Sequence, residues 1–528
     1  MRTLFTHGTI VPMDGTATAL AMLVEDGRIL AVADDLRPGD GTHVIDLHGH
    51  TVVPAFADCH THLTFTGCQV VDGSLAGCRS VAELSDVLLQ AVRAQPAGGI
   101  VRRWNLDDAR FADRRPVQAD LDAVSRAVPI VLSRVGNGAS LLNSAAMSAI
   151  GLDRTVPTVE MRDGERTGWT WGEANHEALE FAVLSLTDAE IAAVARAAAD
   201  LAVQEGVTTL HAIEGSFAGQ AAGDRGRSNQ WLERLLPVLG DLPITVVPLD
   251  SQLDSPADLA RIAANGHKVA GGDLFLDGVL GAAYISGMAR AALDDPYADG
   301  QGGSGHLLLD DATVTSFLME AARHGVSLGA HAVGERAIAQ FLDAWERVVD
   351  AEPEARRLRP RIDHGILPRE ADIDRAGSLG VLFSLQPVFE RRSGGPSGQY
   401  AGRIGPARSR RTHRFRSLLR AGVTLVGGSD SPMNRIAPLE GIGAAVDHSV
   451  ESERLTPLEA LAMFTTGAAK AGGLEQERGT LSPGKLADFV VLTGDPLDPR
   501  QLEACRVRET WRLGRKLWVS AAPRAPLI

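Results

Sequence analysis

Two histidines one residue apart, His60 and His62, close an apolar run that starts at Phe56. On a strand, side chains at i and i+2 face the same way. A strand ending here would turn both imidazoles to one point, as two ligands of one ion require. His331 ends a second apolar run, Val326-Ser327-Leu328-Gly329-Ala330. His364 ends Arg361-Ile362-Asp363, and Asp430 follows Val423-Thr424-Leu425-Val426-Gly427 with only Gly428-Ser429 between. Singly, each signal is weak. A lone His-x-His is commonly a surface pair, a lone strand-end histidine is commonly satisfied in the core, and a lone aspartate commonly caps a turn. Jointly, all five fall at carboxyl ends of expected strands, in an order that a barrel can close. Four imidazoles and a carboxylate form a nitrogen-rich donor set that suits zinc best, with manganese, iron, cobalt and nickel as alternatives.

Such a site points to hydrolysis. A divalent zinc lowers the pKa of the water it holds from near 15.7 to about 7. Asp430 is the candidate to orient that water, take its proton and pass it to a leaving group. His364 or His211, which ends Val207-Thr208-Thr209-Leu210, would help polarise the substrate carbonyl. His176 is ambiguous. His7, His43, His48 and His50 belong to a terminal β-region, and His267, His306, His324, His413 and His448 read as surface residues.

Positioning these groups takes strands and the helices between them. From about residue 55 to 476, short apolar strands alternate with alanine-rich helical stretches, including a run at Val128–Ser133. Thr187-Asp188-Ala189-Glu190 and Thr456-Pro457-Leu458-Glu459 are capping boxes that open two of the helices. This alternation means a parallel sheet with crossovers, either an eight-stranded barrel or an open doubly wound sheet. Neither GxGxxG after a first strand nor GxxxxGK[ST] is present, which removes support from nucleotide-binding versions. Residues 1–54 and 477–528 read as β-structure. Asp26-Gly27 and Leu513-Gly514 mark one hairpin at each end, and the two ends are candidates for one small shared β-domain.

Composition bounds the partners. The 528 residues are 45% hydrophobic and 22% charged, ordinary globular usage. A net charge of −14 argues against nucleic acid and leaves a small molecule as the expected partner. No apolar run reaches the ~18 residues of a membrane span, so no membrane partner is expected. The N-terminus has no apolar secretory region, and only four cysteines occur. These features point to a reducing cytoplasm.

Val53-Pro54-Ala55-Phe56-Ala57-Asp58-Cys59-His60-Thr61-His62-Leu63 resembles the opening motif of the amidohydrolase superfamily. The likeness runs on through His331, His364, Gly428-Ser429-Asp430 and Gly479-Thr480-Leu481-Ser482-Pro483-Gly484, almost the whole chain. Leu276-Asp277-Gly278, His331-Ala332-Val333-Gly334-Glu335-Arg336, Leu385-Gln386-Pro387 and Ser429-Asp430-Ser431-Pro432 resemble its YtcJ-like branch, which includes N-substituted formamide deformylase. The resemblance implies an α/β fold: a distorted (β/α)8 TIM barrel carrying metal, with a small β-sandwich built from both termini. It implies His60, His62, His331, His364 and Asp430 as metal ligands, and a homodimer. In family members a lysine often precedes the Leu-Phe-x-Asp-Gly stretch, and its carboxylated form bridges two metals. Here Asp273 holds that slot. The shorter carboxylate favours one tightly held ion over two, with Asp273 as a further ligand; a turn role is the other reading. Gly136 and Gly138 stand where relatives often carry an aspartate and a histidine, which implies an altered substrate pocket.

The implied reaction is hydrolysis of a C–N bond in a small N-substituted amide or formamide. Deamination of a cyclic amidine, opening of a cyclic amide, a metal-dependent lyase or decarboxylase reaction, and a metal-free non-catalytic scaffold are the alternatives. Trp104, Trp169, Trp171 and Tyr284 are candidate aromatic walls, or core packing under long loops. The arginine-rich stretch Arg391–Arg416 reads as a solvated flexible loop or as a lid over an anionic substrate. Gly215–Gln220 is a second mobile-loop candidate.

Overall fold

Eight strands are largely buried on both faces, as a sheet sandwiched between a filled interior and a helical jacket must be. They are β1 (Phe56–Thr61), β2 (Val207–Glu214), β3 (Thr245–Asp250), β4 (Val269–Phe275), β5 (Ser327–Ala332), β6 (Arg361–His364), β7 (Leu382–Leu385) and β8 (Leu425–Gly427). Every residue of β1 and β2 is buried. A computed structural model describes residues 1–96, 98–152, 157–215, 229–281 and 289–520. In it the eight strands form one parallel sheet, each hydrogen-bonded to its sequence neighbours. A parallel bridge from Thr61 to Ser431, just beyond β8, nearly closes the sheet into a barrel. The barrel is therefore what the alternation becomes, and the open doubly wound sheet is excluded.

Both capping boxes form. Thr187 and Glu190 exchange hydrogen bonds at the start of the helix Asp188–Gln204, as do Thr456 and Glu459 at the start of Pro457–Met463. Asp26 and Gly27, with φ of 47° and 82°, turn the first hairpin. Leu513 and Gly514, at 51° and 66°, turn the second. The two tips meet. The Ala487 N–H donates to the Gly27 carbonyl, and the Ala487 carbonyl accepts from the Gly514 N–H. Strand Phe489–Leu492 pairs antiparallel with Thr51–Pro54, so both chain ends share one five-stranded sheet. It packs on a four-stranded N-terminal sheet through Phe5, Met22, Phe489 and Trp511. The Phe5 and Phe489 rings meet edge-on at 5.0 Å.

One strand lies elsewhere than expected. Val128–Ser133 becomes the strand Ile130–Arg134, in a separate five-stranded sheet inserted between β1 and β2. That sheet has its own core around Leu84, Leu121 and Trp169. A short apolar run carries no mark of which sheet receives it.

Residues Arg391–Arg416 are also corrected. They belong to a folded helical layer with helices Pro387–Ser393, Gln399–Ile404, Pro406–Ser409 and Phe415–Arg420, rather than a flexible loop. Arg403 pairs with Asp299, and Arg408 donates to the carbonyls of Ile404, Asp295 and Pro296. Arg414 pairs with Glu453 and Arg416 with Glu459. His413 and His448, expected at the surface, are buried beneath this layer. The His448 Nε2–H donates to the His413 carbonyl, and its Nδ1 accepts from the Val450 N–H. The layer needs interior side chains of its own, and these two fill it.

Candidate metal centre

The carboxyl ends of β1, β4, β5, β6 and β8 converge at the barrel mouth, where a barrel carries its chemistry. His60 and His62 project together from the end of β1. The His60 Nε2 lies 3.7 Å from Asp273 Oδ1 and 3.6 Å from Asp430 Oδ1. The His62 Nε2 lies 3.5 Å from Asp273 Oδ2 and 3.3 Å from Asp430 Oδ1. The His364 ring centroid is 4.7 Å from that of His60 and 4.5 Å from that of His331. Ligand atoms within 4.8 Å of one another form three sets: His60, His62 and Asp273; His60, His364 and Asp430; and Asp273, His331 and His364. The structure thus brings together all six residues that the sequence nominates as ligands.

Each of three histidines is held by its outer edge. The His60 Nδ1–H donates to Asp363 Oδ1 at 2.8 Å. The His364 Nδ1–H donates to Gln386 Oε1 at 2.9 Å, and the His331 Nε2–H to the Gly278 carbonyl at 3.1 Å. The remaining ring nitrogens of His60 and His331 are buried and have no hydrogen-bond partner among the described residues. A buried polar atom without a partner is costly. A lone pair fixed this way fits a cation, because ligating histidines characteristically donate their other N–H to a carboxylate, amide or carbonyl. The donor set of imidazoles and carboxylates fits a divalent ion such as zinc.

The backbone is shaped to deliver these groups. Asp430 has φ 58° and His364 has φ 69°, the left-handed region that non-glycine residues rarely adopt. Such strain persists only where the surroundings over-determine it. Here the Asp430 N–H donates to the His60 carbonyl at 2.7 Å, and Asp58 Oδ1 accepts from the N–H groups of both His60 and Ser429. Gly428 has to be glycine: a Cβ would come within 2.6 Å of the His60 nitrogen. On β4, a register shift after Gly271 turns Asp273 into the mouth. A Cβ on Gly271 would meet the Gly329 carbonyl at 2.2 Å.

Burial and charge oppose each other in the cluster. Burial pulls His331 and His364 down to about 3, so both imidazoles are neutral, as ligands must be. Burial also pushes the Asp273 carboxyl up to about 7. On His62 burial acts downward, but Asp430 and Asp273 outweigh it and raise the pKa to about 9. A pocket that pulls this hard on its nearest imidazole is one that favours positive charge.

His211 does not join the cluster. Its fully buried ring lies beside Gly472, where a Cβ would be 3.0 Å from Nε2, and its charged neighbours are Arg361 and Asp363. His211, expected to help polarise a substrate carbonyl, is thus set apart from the six candidate ligands. Its strand, β2, carries the ring below the mouth instead of into it. Trp104 and Trp169 are not pocket walls either. Both are fully buried, with indole N–H groups donating to Asp72 and to the Pro116 carbonyl. Trp171 sits at the start of the helix Gly172–Leu184. Tyr284 and Ser216–Gln220 lie outside the described residues. Gly136, at φ 84°, touches the rim: a Cβ there would meet the Met433 methyl at 3.3 Å.

Sequence reading missed the residues behind the ligands, namely Asp58, Arg361, Asp363, Gln386 and the Gly278 carbonyl. One signal was available. Arg361 and Asp363 alternate with period two on a strand otherwise fit for a core, which puts both on one face of β6.

The amidohydrolase family pattern matches residues 43–517. The chain is 27% identical to the YtcJ protein of Bacillus subtilis (strain 168), over 93% of this chain and 94% of that protein. It is 27% identical to N-substituted formamide deformylase of Arthrobacter pascens, over 91% of each. An uncharacterized metal-dependent hydrolase from Pyrococcus furiosus has the same fold, with a TM-score of 0.75 and 24% identity over 94% of this chain and 100% of that one.

Proposed function

The chain belongs to the amidohydrolase family, and from that premise we propose that it hydrolyses the C–N bond of a small N-substituted amide or formamide. The observation that carries this reading is the convergence of four imidazoles and two carboxylates at the barrel mouth, with the outer ring atoms of His60, His331 and His364 tied and the inner ones of His60 and His331 unpartnered among the described residues. Similarity to N-substituted formamide deformylase over most of both chains supports the choice of bond.

His60, His62, His331, His364, Asp273 and Asp430 would hold the metal, for which zinc is the best chemical match. Bound there, a divalent ion supplies Lewis acidity and an acidified water at neutral pH. The chain's own work is positioning and proton transfer. Asp430 is fixed by its backbone bond to His60 and lies beside both β1 histidines. It would take the proton of the attacking water and return it to the nitrogen as the C–N bond breaks, yielding an amine and a carboxylate, or formate from a formamide. His364, braced through its Nδ1–H by Gln386, turns its remaining lone pair to the same space and would serve as a ligand, leaving the charge on the carbonyl oxygen to the ion.

The test is elemental analysis of the purified protein, followed by a screen of N-formyl amines, N-acyl amines, cyclic imides and aminated heterocycles. Stoichiometric metal with release of formate or a carboxylate and an amine is expected. Ammonia from an aminated heterocycle would favour deamination. Metal-free protein that takes up no zinc, cobalt or manganese would favour a non-catalytic scaffold and end the hydrolase reading.

A further inference from the structure

Arg361 lies buried inside the barrel, and its ion pair is with Asp363 instead of with a candidate ligand. Its guanidinium grips the Asp363 carboxylate two-pronged: Nε donates to Oδ2 at 2.8 Å and an Nη donates to Oδ1 at 2.7 Å. The same Oδ1 accepts the His60 Nδ1–H at 2.8 Å. Arginine, carboxylate and imidazole are all buried, at 4%, 0% and 0% exposure.

We infer that Arg361 is a positioning residue for the metal centre, acting through Asp363 to fix the ring orientation and tautomer of His60. A carboxylate alone can rotate about its last bond. A planar fork that fills both oxygens leaves Asp363 one orientation. In that orientation Oδ1 meets the His60 Nδ1–H, and the opposite nitrogen, Nε2, is aimed at Asp273 and Asp430. The surroundings are cut to receive the fork. A Cβ on Gly329 would stand 3.0 Å from both Arg361 Cγ and Asp363 Oδ2. The glycine on β5 thus leaves room for the arginine and the carboxylate it grips. The inference rests on the reading of His60 as a ligand.

Arg361→Lys keeps the charge and removes the fork. Arg361→Met and Asp363→Asn each remove one partner, and the double variant removes both without leaving an unpaired buried charge. Each is loaded with Co(II). The readouts are the dissociation constant by chelator competition, the visible spectrum of the bound ion, and the melting temperature of the apoprotein. We expect Arg361→Lys to bind Co(II) ~10-fold or more weakly with an altered spectrum, within the 10–100-fold typical for partners of metal ligands. We expect the double variant to lose no more affinity than the worse single, because the two residues act in series. Wild-type affinity and spectrum in Arg361→Lys would overturn the inference, as would additive losses in the double variant. Should Arg361→Met fail to fold, Arg361→Lys and the double variant decide between these outcomes. A wild-type protein that binds no cobalt at all would instead sink the metal-centre reading on which this rests.

Discussion

Two groups of buried histidines make a comparison, and only one of them is built for chemistry. At the barrel mouth, His60, His331 and His364 each give one ring nitrogen to a fixed acceptor, His60 and His364 share ligand sets with both Asp273 and Asp430, and His331 shares one with Asp273. In the helical layer beyond β7, His448 commits both nitrogens to the backbone, and His413 stacks face to face with Tyr400 at 6.0 Å. Burial is equal in the two places, and it lowers His413 and His364 alike to about 3. Depth therefore does not identify a ligand. What separates the regions is number: the mouth concentrates two carboxylates that face several imidazoles from different strands, whereas at the other pair Glu390 lies 3.5 Å from His448 Nδ1 and bonds Ser449.

The largest expected effect follows directly. His60→Ala with His62→Ala should abolish metal binding and all turnover, while His448→Asn should lower the melting temperature and leave the metal content unchanged. Elemental analysis of both purified variants is the check. Undiminished metal in the first, or metal loss in the second, would erase the distinction between the regions.

Next in size is the proton carrier. Asp430→Asn keeps the shape and the bond of its own N–H to the His60 carbonyl, but loses the basic oxygen. Turnover should fall ~10²-fold or more, the range of a general acid–base group, with most of the metal retained. Single-turnover rates on the best N-acyl substrate would measure it. Near-full activity would remove Asp430 from the proton path.

Much of this was legible in the sequence because it is local. The His-x-His spacing, the strand-end positions of His331, His364 and Asp430, both capping boxes and both hairpin turns depend on residues within a few positions of one another. The bracing of the site is not local. Asp363 reaches His60 across 303 positions, and Asp58 reaches Ser429 across 371. Nor is membership of a sheet local: Ile130–Arg134 has the residues of a barrel strand, and only its pairing partners set it apart. His413 and His448 looked like surface residues for a related reason. The arginine-rich segment that contains His413 and packs on His448 has the composition of a solvated loop, yet its charges are matched by acids further along the chain, such as Glu453 and Glu459.

A smaller effect sharpens the role of Asp273. Its two oxygens face His60 and His62, and it belongs to two of the three ligand sets. Asp273→Asn should weaken zinc roughly 10-fold or more, comparable at least to losing an outer partner of a ligand. Competition with a chromogenic chelator would measure this. An unchanged dissociation constant would return Asp273 to a turn role and leave the mouth with a single carboxylate donor.

The smallest effect tests the helical layer from the other side. Arg403 is committed to Asp299, and Arg408 to three backbone carbonyls, so neither guanidinium is poised over the mouth to clamp an anion. Arg403→Ala with Arg408→Ala should therefore cost some stability, because charged hydrogen bonds that tie residues 295–299 to this layer are lost. KM for any substrate, charged or neutral, should stay within about twofold. A large rise in KM confined to anionic substrates would show that the layer does reach the substrate, and the contrast between a chemical mouth and a structural layer would have to be redrawn with these two arginines on the mouth's side.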